Sequence, residues 1–409
     1  MGASAKMPPH SSVICTTDAI KIEADQTENT DWVKILNESL TRSSDPLLIT
    51  IELWEAGEYP ITTEVNTTAP IYIKHGSDVP AGKATVVFNH GFTIGGSITV
   101  NGVNIKAGDV LDAPVFTLLN DLNKKQDNGY SNFGSIKFSN LTVSNLKTPL
   151  VQGAKGIQIS EIETSNSKVY MAGAISGGDN APAIYDFQQG GVVAAWSFVN
   201  STLDAGNNVI FSTAGGEKVT AAEGVTTQTL DFSNSTIINP AKNVFQHSQD
   251  SQDWLCYILK NNLVVVNKDE PNFVAGMNGG NKDATPTWQI SGNAFQIADG
   301  DGFADVSNSQ STGDTEEPVE NSVCGSMSFN NLEIPDFGGT LTLVDNQTIP
   351  STLGDPRWKI EYIGGSTDGI KNVYQMSSDN SSIYNLNGQK VKSPTKGIYI
   401  ANDKKVIVN

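Results

Sequence analysis

One short pattern recurs along the chain: an apolar residue, a second apolar residue two places on, a bend residue at the fifth place, and an apolar residue at the eighth. Ile136-Lys-Phe-Ser-Asn-Leu-Thr-Val143, Trp196-Ser-Phe-Val-Asn-Ser-Thr-Leu203 and Leu230-Asp-Phe-Ser-Asn-Ser-Thr-Ile237 carry it, as do Tyr257 to Val264 and Met327 to Ile334. Looser copies run from Ile98 to Ile105, from Ile157 to Thr164 and from Trp288 to Phe295. The first and third places are apolar in all eight copies. The fifth is Asn140, Asn200, Asn234, Asn261 or Asn331 in five of them, and Gly102, Glu161 or Gly292 in the rest. Thr164 is the one eighth place that is not apolar. Apolar residues at every second position give the strand period with one face buried. Asn and Gly tolerate the left-handed backbone of a sharp bend. The pattern therefore reads strand, bend, strand.

The copies begin 21 to 39 residues apart. That is the period of a solenoid, in which each coil buries its apolar places against the coils above and below. The expected fold is all-β: a right-handed parallel β-helix of about eight coils, with bend asparagines stacked in a ladder. A β-sandwich is the competing arrangement, but it does not require Asn at one fixed offset. The repeat also generates the Asn-x-Thr triplets at Asn140, Asn200 and Asn234, which have the form of N-glycan acceptors.

Composition agrees with short strands joined by turns. Gly occurs 38 times and charged residues make up only 17% of the chain. The formal charge of −18 repels a phosphate backbone, so no nucleic-acid partner is expected, and a neutral glycan or a cation suits the surface better. Cys15, Cys256 and Cys324 are too widely spaced for a zinc site or a disulfide framework, and Cys256 falls in a strand pattern and is expected in the core. No run of 18 apolar residues occurs, so no transmembrane segment is expected. Met1 to Ser12 lacks the apolar stretch of an export signal.

Residues 1–29 read as a lead segment and Thr30 to Leu40 as a short helix, capped by Thr30 or Asp31, that covers the open end of the solenoid. Leu47 to Leu53, Ile71 to Ile73 and Val86 to Phe88 read as strands. The β-helix domain is expected over residues 30–358, a polar linker over 359–381, and a small β segment over 382–409 with an Asn387-Gly388 hairpin turn.

The opening order of helix, strand, Ala56-Gly-Glu-Tyr59 and strands resembles the start of pectin-lyase-like β-helix proteins. With the Asn-bend coils and the closing Leu353-Gly-Asp-Pro-Arg-Trp358, residues 30 to 358 resemble a Bacteroides-type group of surface β-helix proteins of uncharacterised function. The tail is similar to the C-terminal, type IX-like sorting segments of secreted proteins from the same phylum, through Tyr384, Asn385, Gly388, Gln389, Lys396, Gly397 and Tyr399. That resemblance implies export and attachment at the outer cell surface.

Polysaccharide lyases and glycoside hydrolases share this fold, and fold alone does not give function. A lyase needs a basic residue beside several carboxylates, but arginine occurs only at Arg42 and Arg357, and Arg357 sits in the closing turn. Lys155, Lys168 and Lys242 are the lysines that could face a groove. A hydrolase needs paired carboxylates, for which Asp250 with Asp253 and Asp179 with Asp186 are the candidates, though none forms a recognisable motif. No HExxH, GxSxG or Walker pattern appears. Asp299, Asp301 and Asp305 place carboxylates around a glycine bend at a spacing that suits Ca²⁺, a possible cofactor; none is required.

Trp196 and Trp288 hold the first coil place and are expected in the core. Tyr170 and Tyr185 are assigned to an insertion between coils, the usual binding surface of a solenoid. With Asp186, Asp250, Asp253 and Trp254 they form the candidate ligand-binding set. The leading expectation is a monomeric, secreted or cell-surface protein that binds a polysaccharide or a host or cell-surface glycan without catalysis. The alternative is a polysaccharide lyase or hydrolase, and a purely structural surface role comes third.

Overall fold

Three parallel sheets, hydrogen-bonded coil to coil, form the main body of the chain. The structure is a computed structural model that describes residues 12–16, 19–24, 31–42, 47–119, 131–177, 181–213, 228–241, 243–247, 255–265, 274–278, 287–296, 323–325, 340–343, 353–357, 359–362, 383–385, 389–391, 397–401 and 404–408. Each coil contributes one strand to each sheet in turn, the arrangement of a β-solenoid. Leu48–Leu53, Gly57–Ile61 and Val65–Thr67 make the first such coil, and Leu255–Lys260, Leu263–Val265 and Val274–Asn278 make the eighth. Thr287–Ser291 and Ala294–Gln296 continue the first two sheets, and Val323–Gly325 extends the second.

The register explains the repeat. In the first sheet, Ile20, Ile49, Ile71, Ile98, Ile136, Ile162, Trp196, Leu230, Tyr257 and Trp288 stack in one column. Ile22, Ile51, Ile73, Val100, Phe138, Thr164, Phe198, Phe232, Leu259 and Ile290 stack two places on, and this second column is buried throughout. The fifth place lies at positive φ in all seven coils from Gly102 to Gly292: Gly102, Asn140, Asn166, Asn200, Asn234, Asn261 and Gly292. These positions are filled by the residue types that adopt this conformation at least cost.

Two sequence expectations change. The copy assigned to Ile157 to Thr164 starts five residues too early. Ile157–Ser165 is one long strand whose first residues pair with Ser131 and Asn132, and the coil proper begins at Ile162 and bends at Asn166. A bulge around Gly134 in the neighbouring strand offsets the two apolar runs. The strands at Leu48, Ile71 and Ala84 are full members of the coils, with no Asn at the bend to mark them.

The continuous polar ladder runs one place beyond the bend. Ser167, Ser201, Ser235, Asn262 and Asn293 occupy the sixth place and are buried. The N–H of Ser167 donates to Ser201 Oγ (3.0 Å), that of Ser201 to Ser235 Oγ (3.3 Å), that of Ser235 to Asn262 Oδ1 (3.0 Å) and that of Asn262 to Asn293 Oδ1 (2.9 Å). Asn262 Nδ2 donates in turn to the Phe232 carbonyl and Asn293 Nδ2 to that of Leu259. Buried polar groups are tolerable because they are paired. At the fifth place, Asn261 Nδ2 reaches Asn234 Oδ1 (3.2 Å), whereas Asn140 turns to Asn101 (3.0 Å).

The core is aromatic along much of its length. Trp196 packs on Phe198, Phe211, Phe232, Phe245 and Tyr185, with its ring centroid 4.8 Å from that of Phe232. Cys256 is a buried free thiol, held above its ordinary pKa by burial. The helix Trp32–Arg42 buries Trp32, Val33 and Leu36. Asp31 caps it by accepting the Lys34 N–H (3.0 Å). Asn37 Nδ2 donates to the Glu64 carbonyl (2.9 Å) beside the strand Val65–Thr67, so the helix supplies a donor to the start of the third sheet.

The chain divides into two compact units. One comprises Met1–Gly325 with Gly354–Pro356, and the other Ser326–Leu353 with Arg357–Asn409. The lead segment is not separate: Ala19–Ala24 joins the first sheet parallel to Leu48–Leu53, and Ser12–Thr16 pairs antiparallel with it. The copy at Met327 to Ile334 lies outside the described residues. In the second unit, Thr340–Leu343 pairs in parallel with Lys359–Tyr362. Lys390–Val391, Ile383–Asn385, Gly397–Ala401 and Lys404–Val408 form an antiparallel sheet in that order. Asn385 Oδ1 accepts the Gln389 N–H (2.9 Å), closing the turn between the first hairpin's strands. Among the described residues no helix is long and apolar enough to cross a membrane.

Candidate functional site

The second sheet turns Tyr170 and Asp204 outward on adjacent rungs. Counted from the coil starts at Ile162 and Trp196, both hold the ninth place, and they are direct register partners. Both are half-buried, and Ile238 on the next rung is fully buried. Tyr170 is thus a strand residue of Lys168–Met171 and not part of an insertion, as the sequence suggested.

The Asp204 strand is flanked at both of its ends. Two residues back from Asp204, Gly354–Pro356 crosses the second sheet as a strap. Thr202 Oγ1 donates to Asp355 Oδ2 (2.7 Å), the Asp355 N–H donates to Thr236 Oγ1 (3.0 Å), and the Gly354 N–H donates to the Asn261 carbonyl (2.9 Å). Gly354 has φ +81°, and a Cβ there would lie 2.4 Å from Thr236 Oγ1, so the closing motif needs glycine at this place. Beyond the pair, residues 172–175 and 205–208 are stapled by the buried Asn208. Its Oδ1 accepts the Ile175 N–H (2.7 Å), and its Nδ2 donates to the Gly173 (3.0 Å) and Ala205 (2.7 Å) carbonyls.

Burial raises the Asp204 carboxyl above its ordinary pKa, opposed by the Gly206 N–H (3.1 Å) and the Asn239 side chain. The arrangement sets a half-buried tyrosine beside a carboxyl of lowered acidity. These groups suit the C–H faces and hydroxyls of a sugar. The chain matches no protein-family model and no curated protein.

The other expected site residues fall elsewhere. Tyr185 is wholly interior in the third sheet, with its hydroxyl 2.7 Å from that of Thr164; a ring with no exposed surface is unavailable to a ligand. Burial pushes its phenol well above the ordinary value. Asp186 faces outward on the same strand but is only 3% exposed, and it is tied by Gln152 Nε2 (2.9 Å), Ser212 Oγ (2.8 Å) and the Gln188 N–H (3.3 Å). Those bonds make it a brace across three coils. Asp250, Asp253 and Trp254, the calcium candidates Asp299, Asp301 and Asp305, and also Asp179 and Lys242, lie outside the described residues. Lys155 is exposed, and Lys168 is buried on the second sheet.

On the first sheet a second polar cluster gathers. Burial raises the Asp231 carboxyl, opposed by Ser233 and by Lys260 one coil on, while Lys260 Nζ donates to Gln289 Oε1 (3.0 Å). This is one carboxyl with one amine that is already engaged. Among the described residues no three His, Cys, Asp or Glu side chains come together to hold a metal.

Sequence reasoning missed Asp204. The signal was present: it lies four residues past the Asn200 bend, as Tyr170 lies four past Asn166. Starting that coil at Ile157 hid the equivalence.

Proposed function

We propose that this protein is a secreted or cell-surface, right-handed β-helix of the pectin-lyase-like type that binds a polysaccharide or cell-surface glycan. The observation that carries the proposal is the Tyr170–Asp204 pair, whose Asp204 strand is flanked by the Gly354–Pro356 strap and the Asn208-stapled turns. An aromatic ring next to a carboxyl serves carbohydrate recognition, in which apolar faces stack and a few placed polar groups fix orientation. Surface location rests on the tail, whose Tyr384 and Asn385 pair in an antiparallel sheet and whose resemblance is to outer-surface sorting segments. The test is affinity electrophoresis of the whole protein through gels containing single polysaccharides, together with a glycan array. Retardation by at least one glycan, lost in Tyr170→Ala while thermal stability is kept, is the expected result. Retardation by none, or binding unchanged in Tyr170→Ala, counts against the proposal.

A further inference from the structure

We infer that the glycan taken at Tyr170 and Asp204 is uncharged, and that Asp204 is the residue that rejects uronate or sulfate groups. This inference rests on the binding proposal above and adds the ligand's chemical class. Its basis is the distribution of charge over the outer face of the second sheet. Asp204 stands on the rung next to Tyr170, as its register partner. Asp355 lies in the strap along one side. Glu58 and Asp109 add carboxylates toward the coils that precede Tyr170.

The strands of this sheet carry two lysines. Lys106 is held by Glu58 at 2.9 Å, and Lys168 is only 3% exposed. A carboxylate or sulfate on the sugar would meet like charge at Asp204, and neither of these two lysines is free to offset it. Like charges brought together at a partly desolvated surface repel more strongly than in water. A hydroxyl in the same place accepts from, or donates to, the Asp204 carboxyl without that cost. The overall charge of −18 extends the bias to long range.

The experiment uses matched ligands. Each polysaccharide that retards the whole protein is oxidised at its primary hydroxyls to the uronate form, and the two forms are compared at neutral pH and low salt. The uronate form is expected to bind at least about tenfold more weakly, one decade being about 1.4 kcal/mol. Asp204→Asn, which keeps an acceptor for the Gly206 N–H, is expected to recover at least about threefold of that loss. Equal or tighter binding of the uronate form overturns the inference while leaving glycan binding intact. So does a neutral-to-uronate ratio that Asp204→Asn leaves unchanged. Retention of no polysaccharide overturns the binding proposal and this inference together.

Discussion

The hydroxyl of Tyr185 lies 2.7 Å from that of Thr164 inside the solenoid, so two polar groups from different sheets satisfy each other in an otherwise apolar layer. Thr164 occupies a column position that Ile, Val, Phe or Leu fills in other coils. Removing one partner strands the other. Thr164→Val is expected to destabilise the protein by about 1–3 kcal/mol, the desolvation cost of an unpaired buried hydroxyl. Adding Tyr185→Phe should restore most of that loss, because replacing both partners by apolar groups is nearly neutral. Urea denaturation of the two single variants and the double variant measures the coupling. Additive losses would contradict this pairing.

The strap makes a different prediction. Asp355 is 1% exposed and bonds both Thr202 and Thr236. Asp355→Ala removes the buried Thr202–Asp355 hydrogen bond under the strap, at a cost of about 1–3 kcal/mol. Gly354→Ala meets Thr236 Oγ1 and a left-handed backbone at once, so it should loosen the strap with Asp355 still in place. Hydrogen exchange at residues 353–357 and 202–204 reads both effects. Unchanged protection in both variants would show that the strap does not depend on these contacts.

At the bends, backbone conformation decides the outcome. Asn200 lies at φ 48°. Asn200→Gly should change stability by only a few tenths of a kcal/mol, and Asn200→Ala should cost about 1–2 kcal/mol, because Cβ crowds the carbonyl in the left-handed region. Melting temperatures of the pair check the order, and a glycine variant less stable than the alanine variant would reverse the argument.

The pH dependence of stability should carry the mark of Asp231. Burial raises its carboxyl above the ordinary 3.8, so the folded chain holds that proton more tightly than the unfolded chain does. The contribution is fully present below 3.8 and is lost as pH rises through the raised folded value. The stability of Asp231→Asn relative to the parent should therefore climb with pH through that window and level off above it. Denaturation curves from about pH 4 to about pH 7 test the sign. A flat difference would mean that the carboxyl is no harder to ionise in the folded chain than in the unfolded one.

Much of the fold could be read from the chain because a solenoid repeats one local rule. Apolar alternation and a bend residue at the fifth place are properties of neighbours in sequence, so coils at Ile98, Ile136, Trp196, Leu230, Tyr257 and Trp288 were visible without any contact being known. Trp196 falls in the core on the same grounds, whereas Cys256, one residue before the first place, is buried on the other face of its strand beside Gln289. Elsewhere the rule met exceptions that only pairing resolves. A bulge near Gly134 and a long strand from Ile157 moved one coil start by five residues, and strands before Ile98 bend without Asn. Ala19–Ala24 gained its place from a neighbour in space, Leu48–Leu53.

The candidate site was less legible because it depends on register across coils. Sequence alone determined which residues face inward at the first and third places and where the chain bends in every described copy but the one misplaced at Ile157, whose bend falls at Asn166 and not Glu161. Tertiary structure decided that Tyr185 points into the core and Asp186 braces three coils. It also decided that the serines and asparagines just past the bends form the interior ladder, and that Tyr170 stands against Asp204. The first group of properties arises within a few residues of backbone, where sterics and burial period act. The second depends on which coil lies next to which, and a strand shifted along its neighbour exchanges every partner without changing its own sequence.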